Sequence, residues 1–191
     1  MSDGRHAWVD ESIHVTISIP MYVLAAVIAD PTRCESIRGD LWSLVRRPRR
    51  RIHWRDEEGG DRAKAVEVIA AAAFDQIVIV GTPVDPRKQE RARRKCMQRL
   101  VSHLCDAQYV DTVWIESRTS SLNRADEAMI AALRGSRAIS GLLRFEFARA
   151  ATDPMLWAAD VVAGAIAASY RGDPSYREVL APHLKVVELD L

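Results

Sequence analysis

Cysteine is scarce. Cys34, Cys96 and Cys105 are odd in number and lack metal-ligand spacing, which argues against a disulfide framework or a zinc site. They follow no secretory leader, so all three are read as thiols in a reduced, cytoplasmic setting. No apolar run is both long and uncharged enough to span a bilayer. The most apolar stretch, 155–170, is short and has Asp160 near its centre, so a core helix and no membrane partner are expected. An excess of one charge sign is also missing. With 27 Lys+Arg against 26 Asp+Glu the formal charge is +1, and only the distribution of charge can speak for or against nucleic acid. There is no Walker loop, dinucleotide fingerprint or G-x-S-x-G elbow, which removes nucleotide-hydrolysing, redox and serine-hydrolase readings. Internal repeats and low-complexity tracts are absent. The 191 residues are expected to form one domain, 1–191, burying roughly 70% of the surface of the unfolded chain.

What is present is a helix with one charge. Residues 153–170, D-P-M-L-W-A-A-D-V-V-A-G-A-I-A-A-S-Y, offer Asp153 as N-cap and Pro154 for the first helical position. Asp160 lies about two turns in, among Trp157, Ala159, Val161, Val162, Ala163 and Gly164. An ionised carboxylate there costs several kcal/mol, roughly, unless an arginine or a metal ion compensates. Asp10 has similar surroundings, after Ala7-Trp8-Val9. Brought together by a fold, two such carboxylates would make a divalent-metal site.

Residues 7–10, the alternating run 13–19 and the continuous apolar run 21–29 predict three strands in an antiparallel meander. A helix over 32–45, a basic connector over 46–56 closed by Gly59-Gly60, and a helix over 61–75 follow. Strands are expected over 76–80, 109–116 and 142–147, and helices over 86–104, 121–133 and from Asp153, with a tail containing Val186-Val187. The fold class is therefore α/β: a mixed sheet, antiparallel meander followed by strand-helix alternation, with helices on both faces.

V-D-E-S at Val9 to Ser12, the apolar strand at 22–28 and L-W-A-A-D-V-V-A-G-A at 156–165 together resemble the ribonuclease-H-like superfold. Within it they are similar to the family called domain of unknown function 3800, whose L-x-x-A-D-x-x-A-G pattern the last motif resembles. The resemblance covers most of the chain. It implies that Asp10 and Asp160 hold Mg²⁺ or Mn²⁺ for phosphodiester hydrolysis, as in a metal-dependent nuclease. The chemistry gives this a reason, since two hard cations roughly 3.5–4 Å apart need bridging carboxylate oxygens to activate water and stabilise the leaving oxygen. The competing expectation is that each Asp pairs with an internal arginine, or that Asp10 only caps a turn.

For a middle carboxylate the first choice is Glu116, which ends V-D-T-V-W-I-E much as Asp10 ends its own run; the alternative is a salt bridge to Arg118. Glu67, at the edge of an apolar helical stripe, is the rival, and Glu57 comes third. Glu11 would point to the opposite face of its strand from Asp10.

Basic residues segregate into two places. Arg46, Arg47, Arg49, Arg50 and Arg51 crowd six positions of the connector, and their self-repulsion favours an anionic partner. On the helix after Pro86, Ala92, Cys96, Leu100 and Leu104 form a buried stripe, leaving Arg91, Lys95 and Arg99 as a row that could track a phosphate backbone. Either group could instead be a solvated face. His53-Trp54 offers an imidazole and an aromatic surface for stacking on a base. The candidate nucleic-acid contacts are Arg49, Arg50, Arg51, His53, Arg91, Lys95 and Arg99, with DNA or RNA as partner. A non-catalytic nucleic-acid-binding or interaction module is the alternative from a different class.

Overall fold

Nine successive apolar residues without alternation make β2 (Met21–Ala29) the centre of the molecule. All nine are buried, as in a strand with helices against both faces. The structure, a computed structural model, describes residues 4–16, 18–45, 51–107 and 110–191, with 106 and 107 as backbone only. On one side β2 pairs antiparallel with β1 (Arg5–His14), and on the other with β3 (Asp75–Thr82). β4 (Val110–Glu116) joins β1 in parallel and β5 (Arg144–Ala148) joins β4 in parallel, while β6 (Leu184–Asp190) runs parallel to β3 at the other edge. The six-stranded mixed sheet has the order β5-β4-β1-β2-β3-β6.

Alternate residues of the central strands enter two apolar layers. Trp8, Val23, Ala25 and Val27 pack with α1 (Cys34–Leu44), α2 (Gly59–Ala71), α5 (Pro154–Ser169) and α6 (Ser175–Leu180). Ala7, Val9, Leu24, Ala26 and Ile28 pack with α3 (Gln89–Ala107) and α4 (Ser120–Gly135). Helices therefore lie on both faces, as expected. α5 is buried at every residue up to Ala168. Its start is tied down by Asp153, which accepts hydrogen bonds from the Met155 N–H (3.1 Å), the Trp8 indole (2.9 Å) and the Arg38 Nε (3.0 Å).

The structure corrects the expected opening. Among the described residues two strands, not three, precede the first helix: β1 runs unbroken from Arg5 to His14, because its antiparallel pairing continues past Asp10 through Ser12↔Val23 to His14↔Met21. The third antiparallel strand is β3, which arrives only after α1 and α2. Gly59-Gly60 opens α2 instead of closing a connector. Leu142, expected in a strand, is 87% exposed and precedes β5. The sequence does not announce α6, since six residues carry too little periodicity to mark a helix. Cys34, Cys96 and Cys105 are free thiols, and no helix among the described residues is long and apolar enough to cross a membrane.

Candidate functional site

Alternation along β1 sends Trp8 and Asp10 towards α5, and Val9 and Glu11 towards α3. The parallel pairing with β4 runs Trp8↔Trp114 and Val9↔Ile115, so one step on Asp10 stands beside Glu116, on the α5 side. α5 crosses β1 and β2 and brings Asp160 to the same end of the sheet. Asp10 and Asp160 are 6% and 8% exposed. Burial holds the Asp10 carboxyl well above the usual aspartate range, and the charges of Glu116, Asp160 and Glu11 push it further, against one hydrogen bond from the Glu11 N–H at 2.7 Å. Asp160 is also raised, chiefly by burial and then by Glu116. The Trp54 N–H at 2.7 Å and the charges of His53 and Arg51 oppose that rise. Asp10, Glu116 and Asp160 thus face one another electrostatically.

Neither buried Asp has an arginine partner among the described residues; each accepts one backbone N–H. Glu116 does have one. Its Oε1 accepts from Arg51 at 2.7 Å, while Arg118, the partner considered from sequence, binds Glu90 and Asp126. Glu67 is exposed on α2. Glu57 lines a separate small cleft with Ser43, Asp61 and Lys64. Neither is among the principal charges acting on Asp10.

An all-carboxylate donor set suits a hard divalent cation. Two of these acids are buried and, among the described residues, without a cationic partner, and the charge of one acts on the other, which is the donor chemistry that Mg²⁺ or Mn²⁺ takes. No group of three His, Cys, Asp or Glu side chains among the described residues, however, stands close enough together to hold an ion.

The D-x-x-x-G spacing within the α5 motif has a steric cause. Gly164, one turn beyond Asp160, leaves room for the Trp54 ring: a Cβ at 164 would lie 2.1 Å from Trp54 Cγ. Trp54 packs edge-on against Tyr176 (5.0 Å between ring centroids) and under the Arg62 guanidinium (4.8 Å). Arg62 Nε also donates to the Trp54 carbonyl at 3.0 Å. Held this way, the Trp54 N–H fixes the Asp160 carboxylate. At 5% exposure Trp54 has no free face for a base, so the expected stacking role is not met by this residue. A small residue four positions after a lone buried acid was the signal that could have shown this.

Of the expected nucleic-acid contacts, Arg49 and Arg50 lie outside the described residues. Arg51 is engaged by Glu116. His53 caps the short turn at Trp54–Asp56, its Nδ1 accepting from the Arg55 N–H at 3.3 Å, and lines a cleft that Asp160 also lines. Arg91 and Arg99 are exposed and Lys95 half-buried, but α3 packs on the opposite face of the sheet from Asp10 and Asp160. The row therefore does not extend the acidic site.

Arg93, a further cation of the same helix, is 1% exposed. Its guanidinium binds Asp126 through Nε (3.1 Å) and Nη2 (2.8 Å), the Tyr22 hydroxyl (3.3 Å) and Glu11; Arg118 reaches the same Asp126 at 3.1 Å. Helical spacing could have revealed it, since 93, 97, 100 and 104 lie on one buried arc. Glu11 does point to the opposite face from Asp10, where this network takes it up.

No family model matches the chain, and no curated protein matches it.

Proposed function

We propose that the protein is a Mg²⁺- or Mn²⁺-dependent phosphodiester hydrolase acting on nucleic acid, built on a ribonuclease-H-like arrangement. The observation that carries this reading is that Asp10, Glu116 and Asp160, drawn from β1, β4 and α5, lie near enough for their charges to act on one another, with Asp10 and Asp160 buried and lacking a cationic partner among the described residues. Unpaired buried carboxylates that repel one another are destabilising, and a bound cation turns that repulsion into affinity. Support for the fold comes from the antiparallel run β3-β2-β1 continuing into the parallel strands β4 and β5, with acids on the first strand and the late helix; β6 is an addition to that plan.

Asp10, Glu116 and Asp160 would hold the ion, which supplies charge neutralisation at the phosphate and a water of lowered pKa. The chain's own residues set the conditions. Glu11 and Trp54 fix the two carboxylates through their N–H groups, α5 excludes water from behind them, and Arg51, which the structure pairs with Glu116, would be available to a phosphate if Glu116 held the ion.

The Arg51–Glu116 ion pair favours a second reading, a nucleic-acid-binding module in which Arg51 permanently neutralises that acid. Calorimetric titration with Mn²⁺, alongside cleavage assays on labelled DNA and RNA, separates the two. The hydrolase reading expects uptake and cleavage by the wild type, and loss of both in Asp10→Asn and Asp160→Asn with circular dichroism unchanged. Nucleic-acid binding without Mn²⁺ uptake selects the binding module, and undiminished cleavage in both variants rejects the assigned acids.

A further inference from the structure

Beside the acids lies a cleft of about 450 Å³. Its walls come from the end of β1 and the turn after it (Ser12, His14, Thr16), the Trp54 turn with the start of α2 (His53, Arg55, Arg62), and the segment after α5 (Arg171). Asp160 also lines it. Three guanidinium groups and two imidazoles thus line one concavity against two carboxylates, of which Glu11 is paired with Arg93 and Asp160 accepts the Trp54 N–H. Arg55 and Arg171 are exposed and have no carboxylate within ion-pair distance among the described residues. Arg62 is held in place through Trp54. Burial, and then the Arg171 and Arg55 charges, lower the pKa of His14, as neighbouring like charges do.

We propose that this cleft is a phosphate-binding site, in which Arg55, Arg62 and Arg171 hold one phosphate group of a nucleic-acid strand next to the Asp160 side of the acidic cluster. The inference rests on the nucleic-acid reading above and adds to it a named second contact on the strand. Planar guanidinium forks match phosphate oxygens in pairs, and convergence of three of them from separate parts of the chain distinguishes this cleft from the α3 row, which presents its cations along one helix. The phosphate is either internal to the strand or at its end.

The test is fluorescence anisotropy with a single-stranded decanucleotide, 5′-phosphorylated or 5′-hydroxyl, in EDTA over a range of salt. Arg55→Gln/Arg171→Gln is compared with the wild type and with Arg124→Gln, an exposed arginine on α4 beyond the far face of the sheet. The double variant is expected to bind about tenfold more weakly, with the slope of log K against log salt reduced by about 0.7 for each phosphate that is no longer neutralised; Arg124→Gln should match the wild type. Equal weakening for both oligonucleotides identifies an internal phosphate. A wild-type preference for the phosphorylated end that vanishes in the double variant identifies a terminal one. Unchanged affinity and slope in the double variant, or no binding by the wild type, overturns the site. Weakened binding in a protein that never cleaves with Mn²⁺ leaves the site standing and removes the hydrolase reading. Cleavage with unaltered binding in the double variant removes the site alone.

Discussion

At the scale of single residues, the two buried aspartates govern how the protein responds to pH. Their carboxyl groups are raised above the ordinary value of 3.8 by burial and by neighbouring carboxylates, Glu116 in both cases, so the folded state binds protons more tightly than the unfolded one. The sign follows: stability is greatest with both groups protonated and is lost as pH rises from about the unfolded value of 3.8 through the folded pKa values. In EDTA at pH 7, Asp10→Asn and Asp160→Asn are therefore expected to melt above the wild type, by about 2–4 °C for each ~1 kcal/mol of relieved repulsion. The gap should close as the pH is lowered towards the ordinary aspartate range. Thermal denaturation across pH checks this, and wild type melting above both variants at pH 7 in EDTA contradicts it. Adding Mn²⁺ should reverse the order, because an ion that binds only the folded wild type stabilises it by mass action.

At the scale of elements, the hold on Asp160 depends on how closely α5 meets the Trp54 turn. Gly164→Ala puts a methyl group where the Trp54 ring lies, and the overpacking should cost about 1–3 kcal/mol. Trp54→Ala removes a buried ring and should cost about 3–5 kcal/mol. Because the alanine methyl has room once the ring is gone, the double variant is expected to lose less than the sum of the two single changes. Urea unfolding of the three variants measures this; strict additivity would show that ring and glycine act independently. The same packing explains why the motif was legible as a pattern but not as a cause. Asp160 and Gly164 are four residues apart on one helix face, whereas Trp54 lies 106 residues before Asp160, and no local periodicity announces such a partner.

Across the whole molecule, the sheet separates two polar systems that begin at adjacent residues of β1. Asp10 faces the α5 layer and its cluster of acids, and Glu11 faces the α3 layer and the buried Arg93–Asp126 network. That network ties β1, β2, α3, α4 and the Arg118 segment together behind the strand that carries Asp10. Removing Asp126, which takes both Arg93 and Arg118, leaves the fully buried Arg93 guanidinium with Glu11 and the Tyr22 hydroxyl only. Asp126→Ala is accordingly expected to cost about 3–5 kcal/mol, read by urea unfolding, and a loss below about 1 kcal/mol would mean that Glu11 alone suffices for Arg93.

The sequence by itself determined the features that local chemistry controls. Asp153-Pro154 started α5, an unbroken apolar run made β2 a central strand, and strand alternation put Asp10 and Glu11 on opposite faces. Two charges in apolar surroundings marked Asp10 and Asp160 as acids in need of explanation. Tertiary structure decided what depends on pairing across tens of residues: that β1 continues to His14 because β2 keeps pairing with it, that the third antiparallel strand waits until residue 75, and that Arg51 reaches Glu116. It also decided that the cations of α3 lie across the sheet from the acids while Arg55, Arg62 and Arg171 gather beside them. The physical reason is that periodicity and caps act through backbone geometry within a few residues, whereas the partner of a buried charge is whichever group the assembled layers bring within about 3 Å.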